Sequence, residues 1–156
     1  MYSRPVRLAG LALVAALALI AAGCGGAEQL SQSDFDAKVA SICAGYTQRA
    51  AKELEPVPGN PLSPNATAEQ LAKFSRLLTH VATLFGRQLD DLRQIGPPAG
   101  SKERYSQVLQ LYAQIEAALG RAARAARKGD KVGVLRADAD LSALGEAADA
   151  LGFKCE

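Results

Sequence analysis

The chain has no tryptophan, one histidine and one methionine, the latter at position 1. Aromatic residues make up only 5% of the 156 positions. A lone histidine, His80, cannot build a histidine-rich metal centre, and no cysteine pair stands at metal-ligand spacing. The inward-facing Glu-x-x-His pattern of a di-iron bundle is missing. No G-x-S-x-G, P-loop or G-x-G-x-x-G occurs, so the commonest nucleophile and phosphate-cradling sites are excluded. The close carboxylates, Asp90 with Asp91 and Asp138 with Asp140, are one and two residues apart. Such neighbours do not face each other on a helix, so neither pair makes a shared-proton dyad. These absences point away from an enzyme and from any metal or organic cofactor.

What is present is alanine. It dominates the apolar residues of a chain that is 49% hydrophobic. Alanine is the best helix former, and it loses no side-chain entropy on folding. The composition therefore predicts an all-α domain with a thin core and close helix approach.

Residues 8–24, LAGLALVAALALIAAGC, come after Arg4 and Arg7 with no acidic residue nearby. A basic start, a short apolar run and the small residues Ala21-Ala22-Gly23 are the parts of a secretory signal. The run is shorter than the roughly 20 residues of a comfortable bilayer span. Ile20-Ala21-Ala22-Gly23-Cys24 resembles the lipobox of bacterial lipoproteins, with Ala21 where leucine is usual. That resemblance implies cleavage before Cys24, a diacylglyceryl thioether on its sulfur, and a domain anchored on the outer face of the cell membrane. It divides the chain into a signal peptide at 1–23, a lipidated tether at 24–32 and a helical domain at 33–156. The 16 acidic residues then face 16 Lys and Arg, because the signal carries Arg4 and Arg7 of the 18 in the whole chain. A neutral mature chain gives no argument for nucleic acid as a partner.

With Cys24 lipidated, Cys43 and Cys155 remain in an oxidising compartment. They read as a Cys43–Cys155 disulfide; two unrelated buried thiols are the alternative. A loop of about 110 residues closed in this way removes about 4–5 kcal/mol of unfolded-state freedom in the chain-entropy model.

Helical periodicity predicts four helices. The first, 34–54, has Ser33 as N-cap, an Asp34–Lys38 surface pair, and a stripe of Phe35, Val39, Ile42, Tyr46 and Ala50 with Cys43 at its edge. The second, 67–95, opens on a Thr67/Gln70 capping box and carries Leu71, Phe74, Leu78, Val81, Phe85, Leu89 and Leu92, widened by Leu77, Leu84 and Ile95. The third, 102–128, starts from Ser101 and carries Tyr105, Val108, Tyr112, Ile115, Leu119, Ala123 and Ala126. The fourth, 131–151, starts from Asp130 and carries Val134, Ala137, Leu141, Leu144, Ala148 and Leu151. Gly129 and Gly152 are expected to end the third and fourth helices. Gly133 and Gly145 each lower helix propensity by about 1 kcal/mol, so the fourth helix should be the weakest.

Between the first two helices, residues 55–65 hold Pro56, Pro58, Pro61 and Pro64 with Gly59. That density excludes helix and central strand and predicts a stiff, extended connector. It reads as a spacer, with partner docking as the alternative. His80 falls opposite the apolar stripe beside Lys73, Arg76 and Arg87, the position of a solvated surface histidine. Arg87 with Asp91 and Glu69 with Lys73 are spaced as ordinary ion pairs. Glu116 lies at the edge of the third helix's stripe, where an acid snorkels or pairs. Arg121, Arg124, Arg127 and Lys128 form a basic patch, which complements the helix dipole and has lipid headgroups as an alternative partner. Tyr105 and Tyr112, one heptad apart, read as core residues whose hydroxyls reach the surface, with the lining of a ligand groove as the alternative.

Three further stretches carry a wider resemblance: Ile42-Cys43 on the opening helix, Leu92 to Pro98 (LRQIGPP), and Leu151 to Cys155 (LGFKC). Together with the lipobox they are similar to small exported helical proteins and lipoproteins of high-GC actinobacteria with one terminal-to-terminal cysteine pair. That group has no assigned activity, so the resemblance implies fold and location and assigns no site residue. The expectation is a single antiparallel four-helix bundle with one disulfide. Its function is expected to be that of a non-enzymatic binding or accessory module, with an envelope protein as possible partner. The alternative is a carrier that holds a small hydrophobic ligand between its helices.

Overall fold

The structure, a computed structural model, describes residues 30–152. The expected signal peptide, Cys24 and Cys155 lie outside the described residues. Four α-helices succeed one another: α1 (Gln32–Glu53), α2 (Ala68–Arg93), α3 (Lys102–Arg127) and α4 (Lys131–Ala150). A single 3-10 turn, Ala99–Ser101, leads into α3, and no strand occurs among the described residues. The architecture is all-helical and consistent with a helical bundle.

Local chemistry sets the helix ends. Thr67 and Gln70 form the expected capping box, with Gln70 N–H donating to Thr67 Oγ1 at 3.2 Å and Thr67 N–H donating to Gln70 Oε1 at 2.9 Å. Asp130 caps α4 by accepting from the Gly133 N–H at 2.9 Å. Gly129, between α3 and α4, has a φ of +71°, the left-handed conformation that glycine adopts without steric cost.

Two caps differ from expectation. Ser31, not Ser33, caps α1 and accepts from the Asp34 N–H at 3.1 Å. Its hydroxyl also donates to the Asp34 carboxylate, the group expected to pair with Lys38. Ser101 caps nothing with its side chain, because the 3-10 turn puts it in a helical conformation; its hydroxyl donates to Gln32 Oε1 at 3.1 Å instead. The packed domain already begins at Leu30, which lies against the core. The expected tether therefore includes a residue that is part of the fold.

All neighbouring helices run antiparallel. Tyr46 and Glu53 of α1 meet Asp91 and His80 of α2, in reversed order. Tyr105 donates to the Leu92 carbonyl at 2.6 Å at one end of the α2–α3 pair, and Ser75 donates to the Ala123 carbonyl at 2.8 Å at the other. Arg121 meets Asp140, and Arg104 donates to the Leu151 carbonyl, so α4 returns along α3.

The core is not one continuous four-helix interior. Phe35, Val39 and Cys43 of α1 join Leu89 and Leu92 of α2 and Tyr105, Val108 and Tyr112 of α3 in one cluster. Leu78 of α2, Leu119, Ala122 and Ala123 of α3, and Ala137 of α4 form the second. Each cluster is built by three helices, and both use α2 and α3. α1 packs on α2 and not on α4. The sequence explains the split. α1 carries large apolar residues only as far as Tyr46, and its last seven residues (TQRAAKE) offer no apolar side chain bulkier than alanine. α4 buries only Val134, Ala137 and Ala148. It reaches the first cluster through Leu151, just past its end.

Aromatic geometry orders the first cluster. Phe35 and Tyr105 meet edge to face with centroids 4.9 Å apart, and Phe85 stacks on Tyr112 at the same distance. Burial pushes the phenols of both Tyr105 and Tyr112 up to about 12, with the Tyr105–Tyr112 contact adding to the first and Asp149 to the second.

Two outcomes are expected for stability. Leu92 is fully buried, so Leu92→Ala should cost about 2–5 kcal/mol in urea unfolding, whereas Leu135→Ala, at a side chain 48% exposed, should stay within about 0.5 kcal/mol. The tyrosines add a pH effect. The folded state holds their protons up to about 12, while the unfolded chain releases them near 10. Their contribution is therefore complete below pH 10 and lost between pH 10 and 12. Unfolding midpoints measured across that window, with tyrosinate absorbance at 295 nm, should fall as pH rises, and Tyr105→Phe should flatten the fall.

Candidate functional site

α2 and α3 turn one shared face toward the two core clusters and a second face outward. The outward seam is floored by small side chains. On α2, Ala72, Ser75, Thr79, Ala82 and Thr83 recur at three- and four-residue spacing; on α3, Ala113, Ala117 and Gly120 do the same. Short side chains along the line where two helices meet leave a trough. It consists of a groove of about 650 Å³ and an adjoining one of about 550 Å³, which share Thr79, Thr83 and Arg127. Both stand open to solvent. The Thr79 and Thr83 hydroxyls donate back to the Ser75 and Thr79 carbonyls at 2.8 and 3.0 Å, which leaves the floor largely apolar.

The rim is cationic. Arg76 rises from α2, and Arg121, Arg124 and Arg127 rise from α3. Arg121 shares Asp140 of α4 at 3.2 Å, with both side chains half exposed. Arg76 contributes to holding the Glu69 carboxyl below its usual range, after the dominant hydrogen bond from Lys73. Arg124 and Arg127 make no ion pair among the described residues. Arg124 folds along its own helix, so that a Cβ at Gly120 would lie 3.4 Å from its Nη1. One carboxylate, Glu116, closes the end of the trough. It lies against the α2 backbone at Gly86, where a Cβ would come within 2.8 Å of its Oε1. A Cβ there would push the carboxylate aside.

The structure distributes the other singled-out residues over separate places. Cys43 is 2% exposed in the first core cluster. His80 is not simply solvated among cations. Its Nε2 lies 3.1 Å from Glu53 Oε2 at the last turn of α1, with both side chains more than 40% exposed. An exposed pair of this kind is worth about 0–1 kcal/mol. Sequence spacing missed it because Glu53 is 27 residues away. Asp91 does not pair with Arg87. It accepts from the Tyr46 hydroxyl at 2.8 Å; burial first, and then this bond, raise the Tyr46 pKa. Arg49 lies 4.8 Å over the same ring. Glu69 and Lys73 do pair, at 2.8 Å. Lys128 is exposed and does not line the trough.

The proline-rich connector has neither helix nor strand, as expected, but it is not extended. Asn60 Oδ1 accepts from the Leu62 N–H, and a turn closes from Ser63 N–H to Asn60 C=O. Gln70 and Lys131 hold the Pro58 and Pro64 carbonyls. Its first part, with Leu54 and Val57, borders a shallow groove of about 370 Å³ together with Lys73, Arg76, Leu77 and His80.

The described residues contain no group of three His, Cys, Asp or Glu able to hold a metal ion, and no helix long and apolar enough to cross a membrane. No protein family matches the chain, and no curated protein or solved structure matches it. The basic patch of Arg121, Arg124 and Arg127 is legible in the sequence, but the trough it rims is not, because its floor is alanine and threonine and not a large apolar stripe. Its signals were present in the second stripe of small residues on α2 and in arginines three residues apart near the end of α3.

Because the floor faces solvent, filling it should leave the fold intact. Ala117→Leu and Thr83→Leu are expected to shift the urea midpoint by no more than about 0.5 kcal/mol equivalent. A loss above about 1 kcal/mol would mean that the floor is packed.

Proposed function

We propose that this chain is a lipoprotein of the cell envelope, anchored by a lipid on Cys24 to the outer face of the membrane, and that it acts as a non-enzymatic binding or accessory module. The open, cation-rimmed trough between α2 and α3 is the observation that carries the binding reading. Its exposed walls, Ala72, Thr79, Thr83, Ala117 and the four arginines, belong to neither core cluster, while Ala82, Ala113 and Ala123 beneath them pack into those clusters. Solvent-open grooves favour docking of a partner over a small hydrophobic ligand enclosed between helices.

The anchoring reading rests on the basic start, the apolar run and the lipobox-like residues before Cys24. Leu30 is already packed, so only five residues lie between it and Cys24, and the six steps reach roughly 20 Å. The domain would therefore ride close to the lipid surface. The same proposal includes a Cys43–Cys155 disulfide. Cys43 is buried in the cluster that also receives Leu151, four residues before Cys155. Such a bridge would hold the chain end and α4 to α1, two elements that otherwise share no helix contact.

Intact mass of the protein extracted from its own membrane tests the proposal. The expected species lacks residues 1–23, carries acyl mass on Cys24 and is two hydrogens lighter than the dithiol form. Cys24→Ser should leave the protein without lipid and move it out of the membrane fraction. A full-length, unlipidated chain would overturn the anchor. Reduction should lower stability by about 4 kcal/mol; an unchanged midpoint in reductant would remove the disulfide from the proposal.

A further inference from the structure

We infer that the trough between α2 and α3 docks an acidic α-helix of a partner protein, with Arg124 and Arg127 as its principal contacts. The inference rests on the binding-module reading and names the chemistry of the partner.

Shape comes first. The α2 wall from Ala72 to Thr83 is about 17 Å long and the α3 wall from Ala113 to Arg127 about 21 Å, enough for three to four turns of a docked helix. A floor of alanine, glycine and threonine methyl groups lets a third backbone approach closely, as small residues do wherever helices pack at short distance. The trough is concave, and a flat lipid surface cannot reach its floor.

Charge selects the partner. The mature chain is neutral overall, yet four arginines gather on this rim against the single carboxylate of Glu116 and the Asp140 already shared with Arg121. Arg124 and Arg127, with no ion pair among the described residues, are one helical turn apart. Guanidinium groups bind carboxylates through paired N–H donors, so acidic side chains one turn apart on a facing helix match them.

Position argues against lipid headgroups as the ligand. Leu30 marks the end of the bundle nearest the proposed anchor and packs in the cluster of Tyr105. Arg124 is 19 residues further along α3, about 28 Å away along the helix axis. The segment from Cys24 to Leu30 reaches roughly 20 Å. A bundle standing on its tether presents the trough away from the membrane.

The test places a photo-cross-linking amino acid at Ala117, at Val57 in the connector, or at Leu135 on α4 of the full-length protein in its native membrane. Adducts are mapped by mass spectrometry. The segment captured from Ala117 is then synthesised and titrated into the protein. The expected adduct at Ala117 is a protein segment of net negative charge with helical periodicity. Its affinity should fall about tenfold or more with Arg124→Glu/Arg127→Glu and weaken as salt rises, while that variant keeps its helicity and urea midpoint. A phospholipid adduct, an adduct with a second copy of this chain, a neutral or basic segment, or an affinity unmoved by the charge reversal would overturn the inference. Adducts from Val57 or Leu135 but none from Ala117 would also overturn it and leave the binding-module reading standing. No protein adduct at any of the three positions would overturn both.

Discussion

The rest of the molecule depends on the packing of α2 against α3. These are the two longest helices among the described residues, at 26 residues each, and they are joined through Ile95-Gly96-Pro97-Pro98 and one 3-10 turn. The joint is short and stiff, so the helices must return on each other. Tyr105 closes the near end by donating to Leu92, and Ser75 closes the far end by donating to Ala123. Both polar groups are buried, and each would carry a desolvation cost if the helices slid out of register. Leu89 and Leu92 of α2 and Val108 of α3, which share the first cluster, are almost completely excluded from solvent.

α1 is mounted on α2 and α4 on α3, and each helix completes a different three-helix cluster. Much of this was legible in the sequence. The stripe of α3 is buried almost as its periodicity predicts, and only Ile115 stays partly exposed. Helix ends set by local chemistry, Thr67/Gln70, Asp130 and Gly129, were equally readable, because their causes lie within four residues. What was not legible depends on long-range geometry. Nothing local says that Glu53 meets His80, or that Asp91 prefers the Tyr46 hydroxyl to Arg87. Four prolines correctly exclude regular structure from the connector, but its path is set by Asn60, Gln70 and Lys131, two of which stand outside it. The division of the core into two clusters required knowing that α1 runs out of large apolar residues just where α4 begins to supply them.

The candidate site arises from the same hairpin. A helix pair that buries one face in two different clusters still has an outer face, and its contour depends on side-chain size. Alanine-rich helices leave a trough there, whereas leucine or lysine would fill it. The arginines on the rim are compatible with α3 as a helix, since three of them fall toward its C-terminal end, where the dipole favours cations. One set of residues thus serves helix stability and gives the surface its sign. The composition that makes the core thin also makes the outer seam accessible.

The central claim is that the α2–α3 hairpin is the stable unit on which α1 and α4 are separately mounted, and native-state hydrogen exchange measures this most directly. The amides of Leu89, Leu92, Val108 and Ala122 should exchange only through global unfolding. Those in α1 beyond Tyr46 should exchange through cheaper local openings. If the end of α1 were as protected as Leu92, or if α2 and α3 opened before α4, the hairpin would not be the scaffold, and the claim of an unused outer face on it would fail.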